Sequence, residues 1–354
     1  MSPDELVARI RRGGLLARGA PVLVMLSGGQ DSTCLLELAA RIAGPSAVSA
    51  LHVNYRLRPG ADGDERHCRE LCRRLDVALQ VRRPRRRENG NLQAWARDVR
   101  YGAAAQLALG RGADVAAGHT ATDQVETILY RLASSPSRRA LLGMAPRDGR
   151  LIRPLLGIDR RDTATYCRQR GLGWREDEGN ASRIFARAKI RGELVPALAR
   201  IHPGAQQNVL ALAEILRDEA AVLDELVDRM LEGAQEITLA HLGELPGALA
   251  RLVVQRLADD VVGGPAPGVA RRTADVLALA GRGTAALDLP NGVRALVEHG
   301  VLRFGCTPPM ATNRRSGHAN ADREAKGELA DARSGGYVGR PESPGGRAVG
   351  APLQ

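Results

Sequence analysis

Between Pro21 and Arg170, short apolar runs alternate with longer amphipathic stretches, and this alternation constrains the chain more than any other feature. The apolar runs Pro21–Leu26, Ala47–Val53, Val77–Val81 and Asp114–Gly118 read as strands. Thr33–Ala43, Asp62–Leu75, Asn91–Gly110 and Thr122–Ala133 read as the helices that follow them. Leu151–Leu156 adds a last edge strand before a helix over Asp159–Arg170. Strands separated by helical crossovers pair in parallel, because a right-handed crossover returns each helix onto a face of the sheet. The expected fold is therefore α/β, a doubly wound parallel sheet, followed by a second, smaller unit.

The second unit begins where the pattern changes, near residue 200. His202–Gly233 reads as one long amphipathic helix, with shorter helical patterns at Leu239–Asp260 and Val269–Ala280. Ala285–Leu289, Ala295–Glu298 and Val301–Phe304 read as small antiparallel strands, the first two joined by a Pro290-Asn291-Gly292 turn. From about Thr307 apolar periodicity vanishes among Gly, Ser, Pro, Ala and Arg, so the sequence predicts a disordered low-complexity tail. The expected organisation is residues 1–200, 201–306 (helical, α+β) and 307–354.

The chemistry concentrates at Ser27-Gly28-Gly29-Gln30-Asp31-Ser32, between the first strand and its helix. There, backbone N–H groups and the positive end of a helix can enclose a phosphate chain, and the glycines permit a sharp turn close to a ligand. A carboxylate at Asp31 makes sense beside phosphates when a divalent cation lies between them, which points to a pyrophosphate-like group held with Mg²⁺. A glycine turn capped by Asp and Ser would alone be an ordinary helix start. The full string after the first strand of a βαβ pattern favours the nucleotide.

Composition removes competing classes. Of 51 basic residues only Lys189 and Lys326 are lysines, and neither follows a glycine, so a Walker-A loop is absent. Aromatic residues make up 3% of the chain, too few for a base-stacking platform. No apolar run reaches the ~20 residues of a membrane helix, and Met1–Arg12 lacks the hydrophobic core of a signal peptide. Five cysteines without a CxxC pair suit free thiols in a reducing cytoplasm. The net charge of +11 is concentrated in residues 1–200, whereas 201–310 is acidic, and this places any polyanionic partner on the first unit.

Further strings follow in order: His52-Val53-Asn54 with Leu57-Arg58, Gly118-His119 with Asp123-Gln124 and Glu126-Thr127, Gly143-Met144, Arg153-Pro154-Leu155-Leu156, Gly173-Trp174 with Glu176-Asp177, then Asn180, Arg187, Ile190-Arg191 and Pro196. SGGQDS resembles the PP-loop of the N-type ATP pyrophosphatases, whose sheet is of the adenine-nucleotide α-hydrolase type. The whole series is similar to the tRNA(Ile)-lysidine synthetase family, firmly over residues 20–200 and more weakly over 201–305. The resemblance implies an ATP-dependent, AMP-forming carbon–nitrogen ligase. It would adenylate the wobble cytidine of a CAU-anticodon isoleucine tRNA, and L-lysine would then displace AMP to give lysidine. It also implies a soluble cytoplasmic protein and leaves a homodimer open. Ser27, Gly28, Gly29, Gln30, Asp31, Ser32 and His52 would bind ATP, with Mg²⁺ at Asp31. Asp31, His119, Asp123, Glu126 and Arg187 would be catalytic. Arg58, Arg82, Arg83, Arg85, Arg131 and Arg191 would meet phosphate or tRNA.

Several positions depart from the family pattern. A histidine expected after Asn54 is Tyr55, the second of two histidines is Thr120, an aspartate is Thr122, and an Arg-Gly-Ser-Gly stretch reads Ser134-Ser135-Pro136-Ser137. Ala188 replaces an asparagine. These changes put substrate handling, not ATP binding, in question. Two other readings are therefore carried forward: another PP-loop enzyme such as a tRNA thiolase, for which Cys34 beside the loop is the candidate thiol, and a non-catalytic tRNA-binding homologue.

Overall fold

The computed structural model describes residues 1–85, 91–134, 138–175, 186–279 and 283–308, apart from the side chains of residues 93, 138, 186 and 187. The tail beyond 308, Arg86 and Arg87, Ser135-Pro136-Ser137, Glu176-Asp177 and Asn180 lie outside the described residues, as does the Arg187 side chain.

A six-stranded sheet is built from β1 (Val22–Met25), β2 (Val48–Val53), β3 (Ala78–Arg82), β4 (Asp114–Ala116), β5 (Arg147–Asp148) and β6 (Leu151–Ile152), in the order β3-β2-β1-β4-β6-β5. All neighbours are parallel except β5 on β6. The expected edge strand is thus short and second from the edge, because Gly149 turns the chain back with a φ of +57° and lets Arg147–Asp148 cover it. Alternation along β1 shows the double winding. Val22 and Val24 join a core with helices α1 (Pro3–Arg12), α2 (Gln30–Ala43), α3 (Ala61–Arg74) and α7 (Arg160–Gln169). Leu23 and Met25 face the opposite way, into a core with α4 (Leu92–Leu109).

Helix α1 was hidden in the sequence by its charge, yet Leu6, Val7 and Ile10 form a buried stripe behind a Ser2/Glu5 capping box with Pro3 in the first turn. Helices α5 (Ala121–Ser134) and α6 (Arg138–Leu141) follow β4, and α8 (Ala186–Lys189) continues through a π-helical turn, Ile190–Leu194, into α9 (Val195–Ile201). Val125 and Leu129 of α5 pack with Ile190 and Val195 there.

Helix α10 (Ala205–Leu231) matches the long amphipathic prediction. The stretch read as one helix over Leu239–Asp260 is divided by Pro246 into α11 (Leu239–Glu244) and α12 (Gly247–Val262), and α13 (Thr273–Leu277) follows a 3-10 turn. These helices pack on a four-stranded antiparallel sheet, β7-β10-β9-β8, of β7 (Glu236–Thr238), β8 (Ala285–Leu289), β9 (Val293–Glu298) and β10 (Val301–Cys306). The turn between β8 and β9 lies at Pro290–Gly292, with Asn291 and Gly292 both at positive φ. No helix of the described residues is long and apolar enough to cross a membrane.

Candidate active site

Parallel pairing brings the ends of β1, β2 and β4 to one edge of the sheet, and the chain reverses its winding direction between β1 and β4. Ligands of open α/β sheets bind in the crevice at such a switch point. Here Ser27–Ser32 follows β1 and Gly118–His119 follows β4. A Cβ on Gly118 would stand 3.1 Å from the Ser32 nitrogen and 3.2 Å from the Asp31 carbonyl carbon, so only glycine permits this approach of the two loops. Gly28 turns the loop with φ +87°, and a Cβ there would stand 3.2 Å from Cys68 Sγ.

The loop is braced from within. Ser32 Oγ accepts from the Ser27 amide at 3.2 Å, lies 3.0 Å from Ser27 Oγ and donates to the Gly29 carbonyl at 3.0 Å. Gly29 caps α2, which therefore starts at Gln30 rather than at Thr33, and places Asp31 in its first turn. The Gln30 side chain turns away from the loop toward α7, donating to the Arg160 carbonyl at 2.6 Å and to Thr163 Oγ1 at 2.7 Å. Asp31 is 18% exposed; its Oδ1 accepts from Thr163 at 2.6 Å and its Oδ2 lies 3.5 Å from Arg160 Nε. Burial raises the Asp31 carboxyl pKa. The Thr163 hydrogen bond and the Arg160 and Arg191 charges oppose that rise, while Asp123 adds to it. Asp31 thus feels the charges of α5 and of the π-helical turn across the crevice.

Those charges form a second group. Asp123 Oδ2 accepts from the Thr120 amide at 2.8 Å and from Thr120 Oγ1 at 2.9 Å, closing the start of α5. Glu126, 3% exposed, receives both Nε and Nη2 of Arg191, at 2.5 and 3.0 Å. Arg191 Nη2 is also 3.7 Å from Asp123 Oδ1. Arg191 thereby joins the two carboxylates that the sequence placed on one helix face, and Glu126 raises the arginine's own pKa. The extra residue of a π-helical turn re-aims a side chain, a device common at functional sites. No cluster of three or more metal-ligating side chains occurs among the described residues.

Other expected site residues have structural partners. His52 is buried at the end of β2, donates from Nδ1 to the Leu26 carbonyl at 2.9 Å, and has its pKa lowered by burial; its Nε2 is buried with no hydrogen-bond partner among the described residues. His119 lies half-buried just past β4. Arg131 donates to the Gly143 carbonyl at 2.6 Å. Arg58 pairs with the buried Asp64, and Arg83 with the buried Glu65, which Arg69 and Asn54 also contact. These hydrogen bonds hold the Glu65 pKa down to about 2 despite burial. Arg82 and Arg85 are exposed. Tyr55 sets its ring 5.7 Å from that of Trp95 and donates to the Ala96 carbonyl, tying the loop after β2 to α4.

The structure also explains motifs that spacing alone left unassigned. Gln124 clamps the backbone of Met144, accepting its amide at 2.7 Å and donating to its carbonyl at 2.9 Å. Gly143, at φ +67°, lies so close that a Cβ would stand 2.7 Å from the Gln124 amide. Arg153 donates to the Ala145 carbonyl at 2.6 Å, so the arginine of RPLL holds the same loop. Thr163 and Arg160 had no sequence signal beyond their place on a helix, because their partner Asp31 lies more than a hundred residues upstream.

A family described as a PP-loop domain matches residues 8–198, more than half of the chain. The tRNA(Ile)-lysidine synthase of Symbiobacterium thermophilum is 37% identical over 87% of this chain and 70% of its own length. That of Parasynechococcus marenigrum is 34% identical over 79% of this chain and 87% of its own. Against the longer synthase of Pseudomonas putida the alignment spans 50% of that relative. Among solved structures, a U34-tRNA thiolase from Methanococcus maripaludis, described with a [4Fe-4S] cluster, covers 60% of this chain and 78% of its own at TM-score 0.51 and 16% identity, a likeness of fold. The chain belongs to the tRNA(Ile)-lysidine synthase family of PP-loop proteins.

Proposed function

We propose that this chain forms lysidine: the C2 carbonyl oxygen of the wobble cytidine in a CAU-anticodon isoleucine tRNA attacks the α-phosphorus of ATP and expels pyrophosphate. The ε-ammonium of L-lysine then gives up a proton to the adjacent carboxylate pair, and the free amine attacks C2 and expels AMP. The observation that carries this reading is the close approach of Gly118 to the backbone of Asp31 and Ser32, which sets the pyrophosphate-type glycine loop beside the start of α5 with Asp123, Glu126 and Arg191, in a chain of this family. Membership supports the tRNA substrate and ATP; lysine follows from the family resemblance, and Mg²⁺ from the carboxylate at Asp31.

The loop and the N-terminus of α2 would receive the phosphates, leaving group first, because that is where negative charge develops. Asp31 suits Mg²⁺ in the way a single carboxylate does, with phosphate oxygens and water completing the shell, and the ion would neutralise the departing pyrophosphate. Asp123 and Glu126 offer carboxylates to the two ammonium groups of lysine, and Arg191 balances their charge until lysine arrives. Arg187 and His119 are proposed to serve the reaction on the tRNA, and Arg82 and Arg85 to bind its phosphates. Residues 1–200 form the proposed catalytic domain and 201–306 the accessory tRNA-binding domain. The exposed Arg82 and Arg85 lie on the first, and the excess of acidic residues on the second. Five free cysteines support a reducing cytoplasm.

Incubating the protein with ATP, Mg²⁺, labelled lysine and the cognate tRNA tests the reading; label in RNA is expected, and its absence would reject lysidine formation. The thiolase reading needs a reactive thiol near the loop. Cys34 is fully buried, and its contact with Cys167 together with burial drives its pKa upward, away from the thiolate. Cys34→Ala should therefore keep lysine transfer within about twofold of the parent, since a side chain outside the reaction changes no barrier. A complete loss in a folded Cys34→Ala protein would turn the assignment toward thiol chemistry.

A further inference from the structure

The carboxylate at the phosphate end of the proposed site is held from outside its own loop. Thr163 is fully buried in the first turn of α7, and its hydroxyl has two acceptors within reach: Asp31 Oδ1 at 2.6 Å and the Arg160 carbonyl at 2.9 Å. A hydroxyl has one hydrogen to give. The Gln30 amide decides its direction. Its Nε2 donates to the Arg160 carbonyl at 2.6 Å and to Thr163 Oγ1 at 2.7 Å, which takes both N–H bonds in preference to its longer 3.3 Å contact with Asp31 Oδ1 and satisfies that carbonyl. The Thr163 hydrogen is left for the carboxylate, where the bond is also charge-assisted. Asp31 Oδ2, which among the described residues has only the looser contact to Arg160 at 3.5 Å, is the oxygen presented to a ligand.

We infer that Thr163, oriented by Gln30, is a positioning residue for adenylation: it fixes one oxygen of Asp31 so that the other is presented to the pyrophosphate end of ATP and its cation. The inference rests on the role proposed for Asp31. It assigns a specific duty to α7, and it accounts for the Gln30 side chain turning from the phosphate loop to that helix. Valine at 163 would fill the same space without the hydrogen, serine would keep the hydrogen, and Gln30→Met would free the hydroxyl to rotate to the Arg160 carbonyl.

Thr163→Val, Thr163→Ser, Gln30→Met and Asp31→Asn are compared in tRNA-dependent ATP–pyrophosphate exchange. Mn²⁺ binding in the presence of a non-hydrolysable ATP analogue is followed separately by electron paramagnetic resonance. Loss of one hydrogen bond to a charged group predicts a kcat about tenfold or more lower in Thr163→Val, an unchanged KM for tRNA, and Mn²⁺ binding weakened about fivefold. Thr163→Ser should restore both readings, and folded Gln30→Met should share part of both defects, which a purely packing role would not produce. Parental exchange and Mn²⁺ binding in folded Thr163→Val, or in folded Gln30→Met should the valine variant not fold, would overturn the inference. An inactive Asp31→Asn beside them would show that the role of Asp31 stands. Parental exchange in Asp31→Asn would instead overturn both.

Discussion

Asp31→Ala is expected to reduce ATP–pyrophosphate exchange by about two to three orders of magnitude, the usual consequence of deleting a preorganised electrostatic group at a centre of developing charge. Affinity for tRNA should remain, because Asp31 is recessed at the start of α2 and the exposed arginines lie elsewhere on the first unit. Retained exchange with the variant would show that the pyrophosphate leaves without this carboxylate, and the proposed division of labour would fail. Exchange absent from the parent protein itself, with tRNA still bound, would instead favour the non-catalytic homologue. The substitution leaves the internal serine bracing of the loop in place, so an intact thermal transition should accompany the loss of activity.

The second large effect concerns stability. Arg191→Ala removes both donors from Glu126, a carboxylate 3% exposed. Breaking a buried pair by deleting one partner costs about 3–5 kcal/mol. Arg191 is itself 38% exposed, so solvent screening brings the expected loss nearer about 2–3 kcal/mol. Arg191→Ala with Glu126→Gln should recover much of that loss, because no stranded charge remains. Denaturant unfolding of the two single variants and the double variant measures the coupling. Additive losses would mean that the two side chains are not energetically paired, and Glu126 would then need another counter-charge. Lysine incorporation should fall in all three, since the acidic pair or its counter-charge is altered in each.

Much of the site was legible because it is local. Ser27–Ser32 is contiguous, and a phosphate loop's geometry is set by its own glycines and by the strand and helix beside it. The alternating periods that predict those elements are likewise local, and they place the ends of β1, β2 and β4 at one edge. What stayed hidden was pairing across the sequence. A run of arginines does not reveal that Arg83, exposed like Arg82 and Arg85, is already engaged by the buried Glu65. Nor does a helix start reveal that Thr163 faces Asp31. Asp123 and Glu126 were correctly placed on one face by their spacing, but the cation between them comes from a turn 65 residues beyond Glu126. In α1 the failure was of another kind: charged neighbours obscured a three-residue buried stripe. In α11 and α12 a single proline overrode a continuous helical pattern.

The contacts that join α2 to α7 have a consequence for how the protein is made. Gln30, Asp31 and Glu37 on α2 meet Arg160, Thr163, Tyr166 and Arg170 on α7 across some 130 positions of chain. During synthesis the glycine loop and its helix emerge first, and α7 leaves the ribosome only after all six strands of the first sheet. A nascent chain ending before residue 160 would carry a complete loop motif with an undirected carboxylate. On the role proposed for Asp31, full competence to process ATP would arrive only with α7, so an unfinished first unit would spend little nucleotide.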